Sequence, residues 1–337
     1  MKIGHHDLAS RALLIAEIGV NHEGDFDKAR ELVGLAADAG ADAVKFQAYY
    51  VRDIRFVSPS ADPDRFGRMQ KNELTWEQFH ILADDAKKAG VTFLCTCFDV
   101  ETVQALNDVL PAFKVASGDL TNDELLEAIA ATGKPVILST GMGSDDEVAH
   151  ALEILGTDRV VVLQCTSSYP CPPEQVNLRS MTFMGTKYGV PYGYSDHTLD
   201  LSACQAAIAM GACVIEKHFT DAKEGRTFRD HALSAEVSDF KELARTTRLI
   251  ETLRGVDAKA VQPAEDGARL PMRRSMAVRR DVPAGTVLTP DMLIALRPSS
   301  GWPVRDRAAL VGRRLAKSLS AGDLVTADAL APKGASA

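Results

Sequence analysis

A chain of 337 residues exceeds the size at which one hydrophobic core usually stops growing, so a large domain followed by a small one is the first expectation. With 46% hydrophobic and 25% charged residues and no long uncharged apolar run, the composition is that of a soluble globular enzyme, not of a disordered or membrane-spanning chain. A net charge of −8 provides no general field for nucleic acid or an acidic membrane surface, so any anionic substrate must meet local cations.

The first residues, MKIGHHDLASRALLIAEIG, carry polar groups up to Arg11 and lack the basic, apolar and small-residue succession of a secretory leader, which predicts a cytoplasmic protein. From Leu13 onward, short apolar runs alternate with segments of helical period. Strands are expected at Leu13–Ile18, Ala43–Gln47, Thr92–Thr96, Ala112–Val115, Pro135–Ser139, Val160–Cys165, Pro191–Ser195 and Val214–His218. Helices are expected at Asp27–Ala39, Thr75–Ala89, Asp123–Ala131, Asp145–Leu155, Ser202–Met210 and Ser238–Arg254, with Gly40, Gly90, Gly133 and Gly211 just past helical runs. Eight βα units favour a closed (β/α)₈ TIM barrel over residues 1–255. A doubly wound open sheet is the alternative, but no GxGxxG follows the first strand.

Residues 256–270 are polar and without period, and read as a linker. Over 271–337 the character changes. MRRSMAVRRDVPAGTVLTPDML and GRRLAKSLSAGDLVTADALAP form a weak internal repeat of a small β-rich module, rich in arginine, among them Arg297. Such a bias usually marks a solvated basic face; the sharper reading is that one arginine covers an anionic site. The six cysteines are scattered, and four lie in or beside apolar strand-like runs, so no disulfide framework is expected. Cys95-Thr96-Cys97 has the wrong spacing for a redox pair or a zinc knuckle.

In a TIM barrel, catalytic side chains come from the carboxyl ends of the strands and the loops after them. Every expected strand end carries polar residues: Glu17, Asn21 and His22; Lys45 and Gln47; Thr96 and Asp99; Lys114, Ser117 and Asp119; Ser139 and Thr140; Gln164, Thr166, Ser167 and Tyr169; Ser195, Asp196 and His197; Glu216, Lys217 and His218. Lys45 and Lys114 sit inside apolar runs, where an ammonium needs an anion. That anion is either a structural partner, Glu17 or Asp119, or a bound phosphate or carboxylate. His197 and His218 end consecutive strands, about 4.8 Å apart in a parallel sheet, and at matching heights can share one divalent ion. Such a nitrogen pair, its shell filled by water and substrate oxygens, suits Mn²⁺, Co²⁺ or Zn²⁺ better than Mg²⁺. Asp230 and His231 follow the last strand in a loop and are candidates to support the same mouth; for His231 a capping or surface role carries at least equal weight.

The segments IAEIGVNHEGD, AVKFQ, FLCTCFD, FKVASGDLTND, GKPVILSTGM, LQCTSSYPCPPEQVNL, GYSDHT and IEKHFT together resemble the N-acetylneuraminate (sialic acid) synthase family. The likeness runs from about residue 12 to 254 and resumes at 271–332, which looks like the family's antifreeze-like (SAF) domain. It implies a metal-dependent transferase that condenses phosphoenolpyruvate with an amino-sugar aldehyde such as N-acetylmannosamine, giving a nonulosonic acid and phosphate. On that resemblance Glu17 stands beside the methylene carbon of phosphoenolpyruvate. Lys45, Thr96, Lys114, Ser117, Ser139 and Ser195 hold its carboxylate and phosphate, and His197 and His218 ligate the metal, with Mn²⁺ first in order. Gln47, Ser167, Tyr169 and Asp230 surround the sugar, and Arg297 reaches the active site of the partner in a domain-swapped homodimer. Departures from the family pattern at Gln164, Ser167, Phe228 and Ser299 are expected near the sugar pocket or its lid, and leave the choice between N-acetylmannosamine, a diacetamido-trideoxyhexose and other aldehydes open. Two further readings compete: a Schiff-base aldolase using Lys45, Lys114 or Lys217, and a carbohydrate- or ice-binding module carried on the barrel as scaffold.

Overall fold

A computed structural model of the chain describes residues 1–49 and 57–332. It divides into two compact units, Met1–Gly255 and Val256–Ala337. The end of the expected C-terminal domain, residues 333–337, lies outside the described residues.

The first unit is a closed parallel barrel of strands β1 (Leu13–Gly19), β2 (Ala43–Ala48), β3 (Thr92–Cys97), β4 (Phe113–Val115), β5 (Val136–Ser139), β6 (Val160–Cys165), β7 (Tyr192–Asp196) and β8 (Val214–His218). Closure comes from β8 pairing with β1, Val214 opposite Leu13 through His218 opposite Glu17. The eight-unit barrel expected from the alternation of apolar runs is therefore the fold. Strands β5 and β7 start one residue later than expected, after Pro135 and Pro191, whose nitrogens have no hydrogen to donate to a ladder.

Side chains alternate across these strands, and the alternation positions everything that follows. Facing the axis near the amino ends, Leu13, Ile15, Ala43, Leu94, Ala112, Ile137, Val161, Leu163 and Val214 form an apolar core. Ile3 and Leu8, from the N-terminal hairpin whose strands are Lys2–Ile3 and His6–Asp7, pack into that core. The outward residues, such as Leu14, Ala16, Val44, Phe46, Cys95, Phe113, Leu138 and Val162, join the layer of helices. With its apolar residues spent at one end, the axis carries polar side chains at the other.

The helices are α1 (Phe26–Asp38), α2 (Pro63–Lys71), α3 (Trp76–Lys88), α4 (Val100–Leu106), α5 (Asp123–Ala131), α6 (Asp145–Leu155), α7 (Arg179–Tyr188), α8 (Ser202–Ala209) and α9 (Val237–Arg254). Helices α2, α4 and α7 are additions to the sequence-based expectation. In α7 the pattern is interrupted by Gly185, required because a Cβ there would lie 2.1 Å from Cδ1 of Tyr192 on β7. All six cysteines are free, and five are buried.

In the second unit, β9 (Ser275–Val278) pairs antiparallel with β10 (Leu293–Leu296) over a core that includes Met276, Val282, Leu288, Leu315 and Val325. The two copies of the weak repeat each carry a 3₁₀ turn, Pro290–Met292 and Ala327–Ala329, and Val282 bridges Leu319 between them. The expected linker 256–270 is partly ordered: a 3₁₀ turn at Pro263–Glu265 leads into α10 (Asp266–Met272). Gln262 and Glu265 form a reciprocal cap there, and Pro263 occupies the first turn, where its missing N–H costs nothing.

Candidate active site

The carboxyl end of the barrel opens into a cavity of about 1380 Å³ whose described lining residues all belong to the first unit. Strand alternation converges Glu17, Lys45, Gln47, Thr96, Lys114, Ser139, Ser195, Glu216 and His218 there, and the loops add Ser117, Ser167, Tyr169, His197 and Asp230. Every barrel residue that the resemblance assigns to phosphoenolpyruvate, the metal or the sugar lines this one cavity. Arg297 lies in the second unit, exposed just after β10.

At the floor, Lys45 Nζ lies 2.6 Å from Glu17 Oε2 and 3.8 Å from Glu216 Oε2, and donates to Thr96 Oγ1 at 3.0 Å. Gln47 donates to Glu17 Oε1 at 2.8 Å, and Ser195 donates to Glu216 Oε1 at 3.0 Å. Lys114 is as deeply buried, but it donates to Ser139 Oγ and to its own strand's Val115 carbonyl, each at 2.7 Å. Among the described residues no carboxylate makes ion-pair contact with it. The expected structural partner is therefore present for Lys45, in Glu17, while Asp119 is not in contact with Lys114.

The environment pushes the two floor carboxylates apart. Burial raises the pKa of Glu17 despite Lys45 beside it. Burial acts the same way on Glu216, but the attraction of Lys114 and Lys45 outweighs it and brings the value down to about 2. Lys45 is held above its ordinary value because Glu17 and Glu216 overcome its burial. Lys114 is lowered by burial, which the more distant Glu216 only partly offsets. The floor thus presents a firmly ionised Glu216, a Glu17 whose pKa burial raises while Lys45 opposes the rise, and an ammonium at Lys114 with no carboxylate in contact among the described residues. At the rim, burial raises Asp119 to about 6.

The ring centroids of His197 and His218 are 5.4 Å apart, with Tyr169 stacked on His197 at 4.1 Å and Arg229 over Tyr169 at 4.6 Å. Nδ1 of His197 lies 2.9 Å from the Thr166 carbonyl, which fixes the tautomer with its proton on that nitrogen and leaves Nε2 as a lone-pair donor. Nδ1 of His218 is buried without a hydrogen-bond partner. Two such nitrogens fit a divalent ion whose remaining shell is water or substrate oxygen. Among the described residues no group of three or more His, Cys, Asp or Glu side chains converges on one point, so a closed structural metal site does not form here.

Several sequence-level readings are corrected. Lys217, a candidate nucleophile, points outward and pairs with Asp196 at 2.6 Å. Gln164, expected near the sugar pocket, also faces the helix layer and donates to the Val176 carbonyl. His231 is neither a cap nor a surface group: it is buried, with Nδ1 2.7 Å from Thr220 Oγ1 and Nε2 3.2 Å from Glu23 Oε1. Two residues of the site were given no role from the sequence: Glu216, named only as a polar strand end, and Cys165, whose Sγ lies 3.8 Å from His197 Nδ1. Both follow from strand parity: Glu216 lies two residues before His218, and Cys165 two residues after the inward-facing Leu163.

The profile of the NeuB family matches residues 32–259, and that of the SAF domain matches residues 273–331. An uncharacterized protein of Methanocaldococcus jannaschii is 40% identical, over 94% of this chain and 94% of its own. An N,N'-diacetyllegionaminic acid synthase of Campylobacter jejuni is 35% identical, over 94% of this chain and 99% of its own. Among solved structures, an N-acetylneuraminic acid synthetase of Leptospira borgpetersenii, in complex with citrate, is 33% identical over 77% of this chain and 90% of its own, with a TM-score of 0.72.

Proposed function

Because the chain belongs to the NeuB family, we propose that its barrel condenses phosphoenolpyruvate with the open-chain aldehyde of an N-acyl amino sugar, releasing phosphate and a nonulosonic, sialic-acid-like product. The observation that carries this reading is Lys114, a buried ammonium with no contacting carboxylate among the described residues, beside a second lysine and a ring of hydroxyls. Such an arrangement is costly unless a ligand brings negative charge.

Phosphoenolpyruvate brings two anionic groups. Lys45, Lys114, Thr96, Ser117, Ser139 and Ser195 hold them in fixed positions, so little reorganisation is needed as charge moves in the reaction. Glu17, whose burial favours the protonated form, stands where carbon 3 of the enol attacks the aldehyde carbon. It can exchange a proton with the water that adds to carbon 2 before the carbon–oxygen bond to phosphate breaks. Glu216 stays ionised and balances the lysines once phosphate has left. His197 and His218 would hold a divalent ion, Mn²⁺ in the first place and otherwise Co²⁺, Mg²⁺ or Zn²⁺, which when bound supplies Lewis-acid polarisation of the aldehyde oxygen. Gln47, Ser167, Tyr169 and Asp230 are assigned to the sugar. Arg297 of a second copy of the chain is assigned as the lid, in a homodimer working in the cytoplasm. A diacetylated acceptor leading to a legionaminic-acid-like product is the competing substrate, supported by the name of the Campylobacter jejuni relative.

The test is a phosphate-release assay with phosphoenolpyruvate, Mn²⁺ and a panel of N-acyl aminohexoses, with mass analysis of the product. The expected outcome is aldehyde-dependent phosphate release that a chelator abolishes. Borohydride added during turnover should trap no lysine; a trapped Lys114 would instead establish the aldolase. Absence of phosphate release with every amino sugar would sink the proposal.

A further inference from the structure

The outward faces of the barrel strands are apolar almost throughout, yet β7 and β8 carry a charged pair there. Asp196 and Lys217 are cross-strand neighbours, their side chains 0% and 1% exposed, with Nζ 2.6 Å from Oδ2. Each stands one residue before a histidine of the site, in Asp196-His197 and Lys217-His218. An apolar pair would fill the same space, often at no loss of stability, so packing alone does not account for two desolvated charges.

What an apolar pair would not provide is a set of directed bonds to the segment after His197. Lys217 Nζ, anchored on β8, donates to the Thr198 carbonyl at 2.5 Å and the Asp200 carbonyl at 3.4 Å. Asp196 Oδ1 accepts from the Thr198 N–H at 2.9 Å and the Tyr194 hydroxyl at 2.8 Å. Its Oδ2 accepts from Thr198 Oγ1 at 3.0 Å. The backbone on either side of His197 is thereby tied to the strand that carries His218.

We propose that the buried Asp196–Lys217 pair is a positioning device that sets the separation and orientation of His197 and His218. It acts from behind the site and touches no substrate, and it rests on the assignment of the two histidines to the reaction. Groups that hold a metal-binding histidine in place are worth about 10- to 100-fold in metal affinity.

The test uses Asp196→Leu/Lys217→Met in the full chain, which removes both charges together and is expected to melt at or above the wild-type temperature. In metal-free protein the imidazole NMR resonances of His197 and His218 should shift, and Mn²⁺ affinity should fall about 10- to 100-fold while KM for phosphoenolpyruvate holds. Thr198→Val removes one bond to Asp196 without stranding a charge, and should move the same resonances in the same direction by less, so the question stays decidable even where the double variant does not fold. Wild-type resonances and Mn²⁺ affinity in either folded variant would overturn the proposal. A wild-type protein that binds no Mn²⁺ would overturn the metal assignment under the proposed function, and the metal-free resonances would still decide whether the pair positions the histidines.

Discussion

At the carboxyl end of the barrel two lysines are equally withdrawn from water and differently satisfied. On the outer face, Lys217 meets the Asp196 carboxylate and two carbonyls. On the inner face, Lys114 meets a hydroxyl and a carbonyl and, among the described residues, no carboxylate. Depth of burial therefore does not separate structure from function here. The completeness of the charge's surroundings does: the outer pair is closed within the protein, whereas among the described residues no carboxylate closes the inner lysine.

Substitution makes the contrast measurable. Lys217→Met alone strands the Asp196 carboxylate in the helix layer and should cost about 3–5 kcal/mol of stability, read by chemical denaturation. A loss within experimental scatter would show that the pair is not the closed unit its geometry suggests. Lys114→Met removes an ammonium with no carboxylate in contact among the described residues, so its cost in stability should be smaller than that of Lys217→Met and limited to the attraction Lys114 exerts on the buried Glu216. Its effect belongs to catalysis: kcat/KM for phosphoenolpyruvate should fall by about 10²- to 10³-fold, as for the loss of one preorganised charge-stabilising group. If instead the protein unfolded and the folded fraction turned over normally, inner and outer faces would have exchanged roles.

The same contrast explains what was legible in the sequence. The strands were, because βα alternation and apolar runs are local signals, and so was the list of polar residues at their ends. Which of those residues faced the axis was not read, although the parity of each strand carries it: Glu216 shares the parity of His218, and Lys217 does not. Treating every polar strand end alike admitted Lys217 as a nucleophile and left Glu216 without a role. Helix α7 was obscured by Gly185, whose cause is contact with Tyr192 on another element. Helix α10 was hidden because all of its residues, Leu270 and Met272 included, are exposed, so it has no buried face to set a period. Both depend on tertiary surroundings that local pattern does not encode.

Asp119 offers the mildest and sharpest probe of the inner face. It lines the cavity, and burial holds its pKa at about 6, above the ordinary 3.8. Because the folded protein binds this proton more tightly than the unfolded chain, the group favours folding at low pH. That contribution is present in full below 3.8 and is lost as pH rises through 6. At pH 7 the folded state therefore carries an ionised carboxylate at a cost of about 2 kcal/mol, after allowance for its partial contact with water. Asp119→Asn should remove that cost: the variant should be more stable than wild type by about this amount at pH 7, with the gain fading to nothing by about pH 4. Denaturation curves at several pH values measure the difference directly. A gain that did not depend on pH would assign it to packing. A gain of the expected form, together with slower turnover, would show that Asp119 serves the reaction at a cost to the stability of the free protein.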